Sequence, residues 1–121
     1  MNTHKILIVE DEEDINELLK DYLNMKGYGD VNGTATGAAA LEYIRTSKPD
    51  VVFLDIVLED DVDGMKVLEE GRTISPETKF IMMSAHKEDY GQKAKELGAD
   101  AFLDKPVQVE SINKILEKIL N

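Results

Sequence analysis

Cysteine is absent from this 121-residue chain, which excludes disulfides and thiolate metal sites and suits a reducing compartment such as the cytoplasm. Long apolar runs are missing as well. None approaches the ~20 residues that span a bilayer as a helix, so no membrane segment is expected. The N-terminus lacks the basic stretch and apolar core of an export signal and enters a strand-like run almost at once. Basic residues are scarce: 14 Lys and Arg stand against 25 Asp and Glu, a formal charge of −11. That balance argues against nonspecific nucleic-acid binding, which rests on Lys and Arg neutralising phosphates. It suits a divalent cation or a basic protein partner, although solubility accounts for much of it. No internal repeat, low-complexity stretch or linker divides the chain, and one domain over residues 1–121 is expected. The hydrophobic fraction of 42% and charged fraction of 32% belong to a globular protein rather than a disordered one.

What the chain does have is alternation. Apolar runs of strand length at Lys5–Val9, Val51–Leu54, Lys79–Met83 and Ala101–Leu103, with a weaker one around Asp30–Ala35 interrupted by Gly33, alternate with helical patterns. Ile15, Leu18, Leu19, Tyr22 and Leu23 recur at helical spacing, and Gly27 closes that segment. Further helices are expected through Ala38–Ile44 before Pro49, over Met65–Gly71, and over Glu88–Leu97 before Gly98. Ile112, Ile115, Leu116 and Ile119 form a last apolar stripe at helical spacing. Five βα units in succession predict an α/β fold with a parallel sheet.

Three of the apolar runs end in isolated charges: Glu10-Asp11, Asp55, and Asp104-Lys105 before Pro106. Parallel sheets bind ligands beyond the carboxyl ends of their strands, so these side chains are expected to meet in one pocket. Glu10, Asp11 and Asp55 offer the hard oxygens that magnesium prefers. Two such carboxylates ~4 Å apart repel by roughly 4 kcal/mol at an effective dielectric near 20, which calls for a dication or Lys105 among them. A plainer reading of Glu10-Asp11 is a helix N-cap followed by first-turn acids, Glu12 to Asp14. Asp55 ends the most hydrophobic run, where no cap is needed, and a carboxylate nucleophile can carry a phosphoryl group as an acyl phosphate. A turn-forming Asp is its plain alternative. Ser84 follows the fourth run and precedes the small Ala85; it is placed either to donate to a phosphoryl oxygen or to cap a helix. Lys105 is either solvated or turned inward, for which a cis Lys105–Pro106 bond is one route.

Ile6–Glu12, Val52–Asp55, Met83-Ser84-Ala85 and Asp104-Lys105-Pro106 together resemble the signature segments of response-regulator receiver domains of two-component signal transduction. The resemblance covers essentially the whole chain, with the four motifs in order. It implies a doubly wound, flavodoxin-like (βα)5 sheet in the order 2-1-3-4-5. It implies that Asp55 is phosphorylated by a histidine kinase or a histidine phosphotransfer protein. It further implies that Glu10, Asp11, Asp55 and the backbone carbonyl of Val57 hold Mg2+, and that Ser84 and Lys105 contact the phosphoryl group. Phe102, three residues before the lysine, falls at the family's switch aromatic and is expected to follow Ser84 inward; a plain strand core residue is compatible with that. Ile15 and Leu18 lie where related proteins dock their kinase, with core packing the first role expected of Leu18. With the final strand and helix, the helix bearing Tyr90 is expected to form the output face, although a solvated helix explains its charges as well.

The chain also departs from the family pattern. The loop Ile56–Gly64 lacks the usual Met-Pro pair and is one residue longer, which bears on the Val57 carbonyl, and Gly27–Gly37 is longer by one as well. Glu10 stands where Asp is commoner, and its longer arm is expected to reach the metal through a water. Val57 and His86 flank the path of the hydrolytic water; Val57 offers it no hydrogen bond, so slow self-dephosphorylation is expected, while His86 is read as a solvated helix-start residue. His4 is expected at the surface. No effector domain is expected, so a stand-alone regulator is expected to act on a downstream protein or pass the phosphoryl group on. Two rivals remain: a haloacid-dehalogenase-type hydrolase, which wants a second Asp where Val57 stands, and a receiver-like binding module that is never phosphorylated.

Overall fold

The computed structural model describes residues 2–58, 63–85 and 87–120. Five strands and five helices alternate: β1 (Asn2–Val9), α1 (Glu13–Met25), β2 (Tyr28–Thr34), α2 (Gly37–Ser47), β3 (Val51–Asp55), α3 (Gly64–Ile74), β4 (Lys79–Ser84), α4 (Lys87–Glu96), β5 (Ala101–Asp104) and α5 (Val109–Leu120). All neighbouring strands are parallel and the sheet order is β2-β1-β3-β4-β5, as the resemblance implies.

The continuous apolar runs reflect burial on both faces of the sheet. Within each run the side chains alternate. Leu7, Val9, Val52, Leu54, Phe80 and Met82 pack with Ile44, Val67, Leu68 and Ala94 of α2, α3 and α4. Ile6, Ile8, Val51, Phe53, Ile81 and Met83 pack with Leu19, Leu23, Ile112 and Leu116 of α1 and α5. Gly27 and Gly98, both at φ near +100°, turn the chain out of α1 and α4.

The second strand differs from expectation. It starts at Tyr28 and runs unbroken through Gly33, which pairs with Ile8. As an edge strand it buries only Val31, so its sequence carries no apolar run. Helix α3 is longer than expected, and its N-cap is Asp63, whose side chain accepts the Lys66 N–H at 3.0 Å. Leu18 is not a core residue. Helix α1 turns Leu19 and Leu23 inward, leaving Leu18 65% exposed. Asp11 is not the helix cap either, because that position falls to Glu12, which makes no side-chain cap bond.

Far from the charged strand ends, Arg72 closes the opposite edge of the sheet. Its guanidinium donates to the carbonyls of Pro76, Thr78 and Gly98 at 3.1, 2.8 and 2.6 Å and to Asp100 Oδ2 at 2.6 Å. It also lies 5.0 Å from the centre of the Phe80 ring, and Asp100 Oδ2 accepts the Phe80 N–H as well.

Candidate functional site

The strand registers bring the charged ends together. Val9 pairs with Leu54, Asp55 with Met83, and Ser84 with Asp104, so β1, β3, β4 and β5 stop at one edge of the sheet. Lys105, turned back by its N–H bond to the Ser84 carbonyl (3.0 Å), reaches across this edge. Its Nζ donates to Glu10 Oε1 at 2.7 Å and to Asp55 Oδ2 at 2.9 Å. The Lys105–Pro106 bond is cis. Glu10 is fully buried and Asp55 only 6% exposed, so the lysine reading as a solvated side chain fails.

The remaining carboxylate oxygens face backbone donors. Asp55 Oδ1 accepts the Val57 N–H at 3.2 Å, and Glu10 Oε2 accepts the Glu12 N–H at 3.1 Å. Glu10, Asp11 and Asp55 each bring one carboxylate oxygen within 4.8 Å of the others. Hard oxygen donors of this kind fit a magnesium ion, which takes one or two protein carboxylates and keeps several waters. Burial by itself pulls the Lys105 ammonium toward a lower pKa. Its hydrogen bonds to Glu10 and Asp55, with the attraction of both carboxylates, outweigh that and hold it above the ordinary lysine value.

Two close approaches and one amide frame the site, and the motif reading passed over all three. Asn16 on α1 donates through Nδ2 to the carbonyls of Glu10 and Thr34, both at 3.0 Å, tying the ends of β1 and β2 together. It lies over Gly33, where a Cβ would overlap its Oδ1. Glycine inside a strand is the available sequence signal for such an approach. Gly64 opens α3 directly against the backbone that follows the candidate acceptor: a Cβ there would overlap the Asp55 carbonyl oxygen and come within 2.7 Å of Ile56 Cα. Its N–H donates to the Ile56 carbonyl at 2.9 Å.

The other expected site residues are placed as follows. Ser84 is buried at the last position of β4, one residue beyond the partner of Asp55. Phe102 is half-buried against the α2–α4 side of the sheet, not enclosed, and lines grooves toward both α4 and α5. Val57 is 59% exposed. His86 and loop residues 59–62 lie outside the described residues. Ile15 is partly buried, and together with the exposed Leu18 it lines an apolar groove of about 430 Å³ that extends to Lys105, Pro106 and Val109. Tyr90 is half-buried on α4. No helix among the described residues is long and apolar enough to cross a membrane.

Comparison with known proteins gives this arrangement a context. The family model of the response regulator receiver domain matches residues 6–117. Sporulation initiation phosphotransferase F of Bacillus subtilis is 35% identical over 121 residues, covering 99% of this chain and 96% of that protein. Chemotaxis protein CheY of the same organism is 33% identical, with 98% of each covered. Some relatives are longer, and of one transcriptional regulatory protein the chain spans 48%. Among solved structures, a CheY-like response regulator receiver domain from Methylobacillus flagellatus superposes with a TM-score of 0.86 at 32% identity, covering 98% of this chain and 99% of the other.

Proposed function

Because this chain belongs to the response regulator receiver family, we propose that it is a phosphoacceptor in which Asp55 takes a phosphoryl group from a phosphohistidine donor. The observation that carries the reading is the bridge of Lys105 Nζ to Asp55 Oδ2 and Glu10 Oε1 beside Asp11. An Asp55 carboxylate oxygen attacks phosphorus, a P–O bond forms as the P–N bond breaks, and the electron pair leaves with the imidazole nitrogen, which takes a proton. Lys105 neutralises charge on the phosphoryl oxygens, and the Ser84 hydroxyl donates to one of them. Asp11 and Asp55, with the Val57 carbonyl and Glu10, are the groups that would hold Mg2+. When bound, the ion neutralises the acid cluster and the transferring oxygens.

The same reading assigns the partners. A histidine kinase or histidine phosphotransfer protein docks on the groove of Ile15 and Leu18, whose lining includes Lys105. Ser84 and Phe102 form the switch, with Phe102 half-buried against the core cluster of that side of the sheet. The α4 face with Tyr90 then receives a downstream protein in the cytoplasm, without direct contact to nucleic acid or membrane. Residues 1–121 act as one receiver domain in this scheme.

The test is incubation with acetyl phosphate, with and without Mg2+, followed by intact mass. A magnesium-dependent adduct of one phosphoryl group that is lost in Asp55→Asn is the expected result. Donor turnover without an adduct points to a hydrolase, and neither adduct nor turnover points to an unphosphorylated binding module.

A further inference from the structure

We infer that Asn16 is a positioning residue of the site: its amide fixes the peptide from which Asp11 departs, and Gly33 leaves the room that amide needs. The inference rests on the phosphoacceptor reading above in taking Asp11 to meet a cation. The ladder of β1 with β3 ends at the Val9–Leu54 pair, and Glu10 and Asp11 follow beyond it. Asn16, in the first turn of α1, reaches back to donate through Nδ2 to the Glu10 carbonyl and, at the same 3.0 Å, to the Thr34 carbonyl. An amide nitrogen carries two hydrogens and can serve two acceptors at once; a hydroxyl has one to give and a carboxylate none. Both neighbours are carbonyl oxygens, which accept only, so the nitrogen must face them and Oδ1 must turn away. Oδ1 then falls over Gly33, where a Cβ would overlap it; the three atoms nearest that position all belong to Asn16.

The Thr34 carbonyl also accepts the Glu10 N–H at 3.1 Å, so Glu10 is held on both sides of its Cα. Its carbonyl and the Asp11 N–H share one planar peptide unit. Anchoring that oxygen therefore sets the plane from which the Asp11 Cα and carboxylate leave. Asp11 is partly open to solvent, and Asn16 and Thr34 line the same hollow beside it. Groups that orient a metal ligand from behind typically change metal affinity by about 10–100-fold when removed.

The experiment compares Asn16→Ala, Gly33→Ala and the double variant in the full chain. Gly33→Ala meets only the end of one side chain, and Ala suits a strand interior better than Gly, so this variant folds and displaces the amide. Without metal, 15N relaxation is expected to show the Asp11 backbone amide losing order in each single variant. Titration with MgCl2 alone is expected to show Kd raised about tenfold in each. The double variant should stay within about twofold of either single one, because the second change finds the tie already broken. A lowered urea midpoint with Mg2+ affinity unchanged makes the tie merely structural and overturns the inference. Losses that multiply in the double variant overturn it too, as does an Asp11 amide equally ordered in parent and single variants. Asp11→Asn is expected to leave the Asn16 side-chain amide resonances in place and to weaken Mg2+ more than either single variant does. If it leaves Mg2+ binding unchanged while the amide at position 11 loses order in the Asn16 and Gly33 variants, the magnesium reading fails and the hold of Asn16 on the peptide stands.

Discussion

Gly64 sits against the carbonyl oxygen of Asp55 so closely that no side chain fits between them. The start of α3 is thereby seated on the backbone that leaves the candidate acceptor. Gly64→Ala must push that backbone aside, and overpacking of this kind costs about 1–3 kcal/mol. Urea denaturation should show the loss, and acetyl phosphate should label the variant at Asp55 more slowly than the parent. Unchanged stability and labelling would mean the loop gives way without disturbing the site.

Lys105→Met removes the cation shared by two buried carboxylates, a change worth about 3 kcal/mol of stability near neutral pH without metal. Added Mg2+ should restore part of it through the same acids. The folded-state pKa of Lys105 is raised, so its stabilising effect is complete below the unfolded lysine value of about 10.4 and fades as pH rises through the folded value. The stability gap between parent and variant should therefore be flat up to about pH 10 and narrow above it, as measured by denaturant titration across that range.

The Val57 side chain, exposed two residues beyond the candidate acceptor, gives an attacking water nothing to bond. Val57→Asn supplies a donor and an acceptor there. One oriented hydrogen bond of about 1 kcal/mol corresponds to roughly fivefold faster phosphate loss. Radiolabel decay from phosphorylated protein gives the rate directly, and decay no faster than the parent's removes Val57 as the brake.

Leu18 is exposed beside the pocket and makes little contribution to the core. Leu18→Lys should change stability by no more than about 0.5 kcal/mol. Labelling by acetyl phosphate should be unaffected, while transfer from a phosphohistidine protein drops by tenfold or more. Equal losses with both donors would place the defect in the chemistry instead.

Arg72 and Asp100 hold the opposite edge of the sheet. Arg72→Lys keeps the charge but abandons the fork that spans the carbonyls of Thr78 and Gly98. A loss of about 2 kcal/mol is expected, because hydrogen bonds to charged donors are worth about 1.5–3 kcal/mol each and the lysine replaces only some of them. Asp55 labelling in the folded variant should match the parent, since the two sites lie at opposite ends of the strands.

Four of the five strands were legible from residue order, because burial on both faces leaves an unbroken apolar run such as Val51–Leu54. The fifth, β2, was only partly so: an edge strand that buries Val31 alone has no such signature. Asp11, Asp55 and Lys105 stood out as charges at strand ends, and the geometry brings them together. Asn16 and Gly64 did not stand out, and Gly33 did so only as an interruption of a weak strand, since each matters through contact with a segment remote in sequence. Leu18 was misjudged as core, because helical periodicity marks a stripe without saying which rim of it meets the sheet.

By itself, then, the sequence determined the alternation of strands and helices and the chemical character of the strand ends, since hydrophobic burial and side-chain charge are properties of local residue order. Only the tertiary structure decided that Glu10 points at Lys105, that Asn16 ties β1 to β2, and that Gly64 abuts Asp55. Those outcomes depend on strand register and on a few ångströms of separation between segments as many as 95 residues apart. Local patterns of hydrophobicity and charge do not encode such distances; close packing of the whole chain sets them.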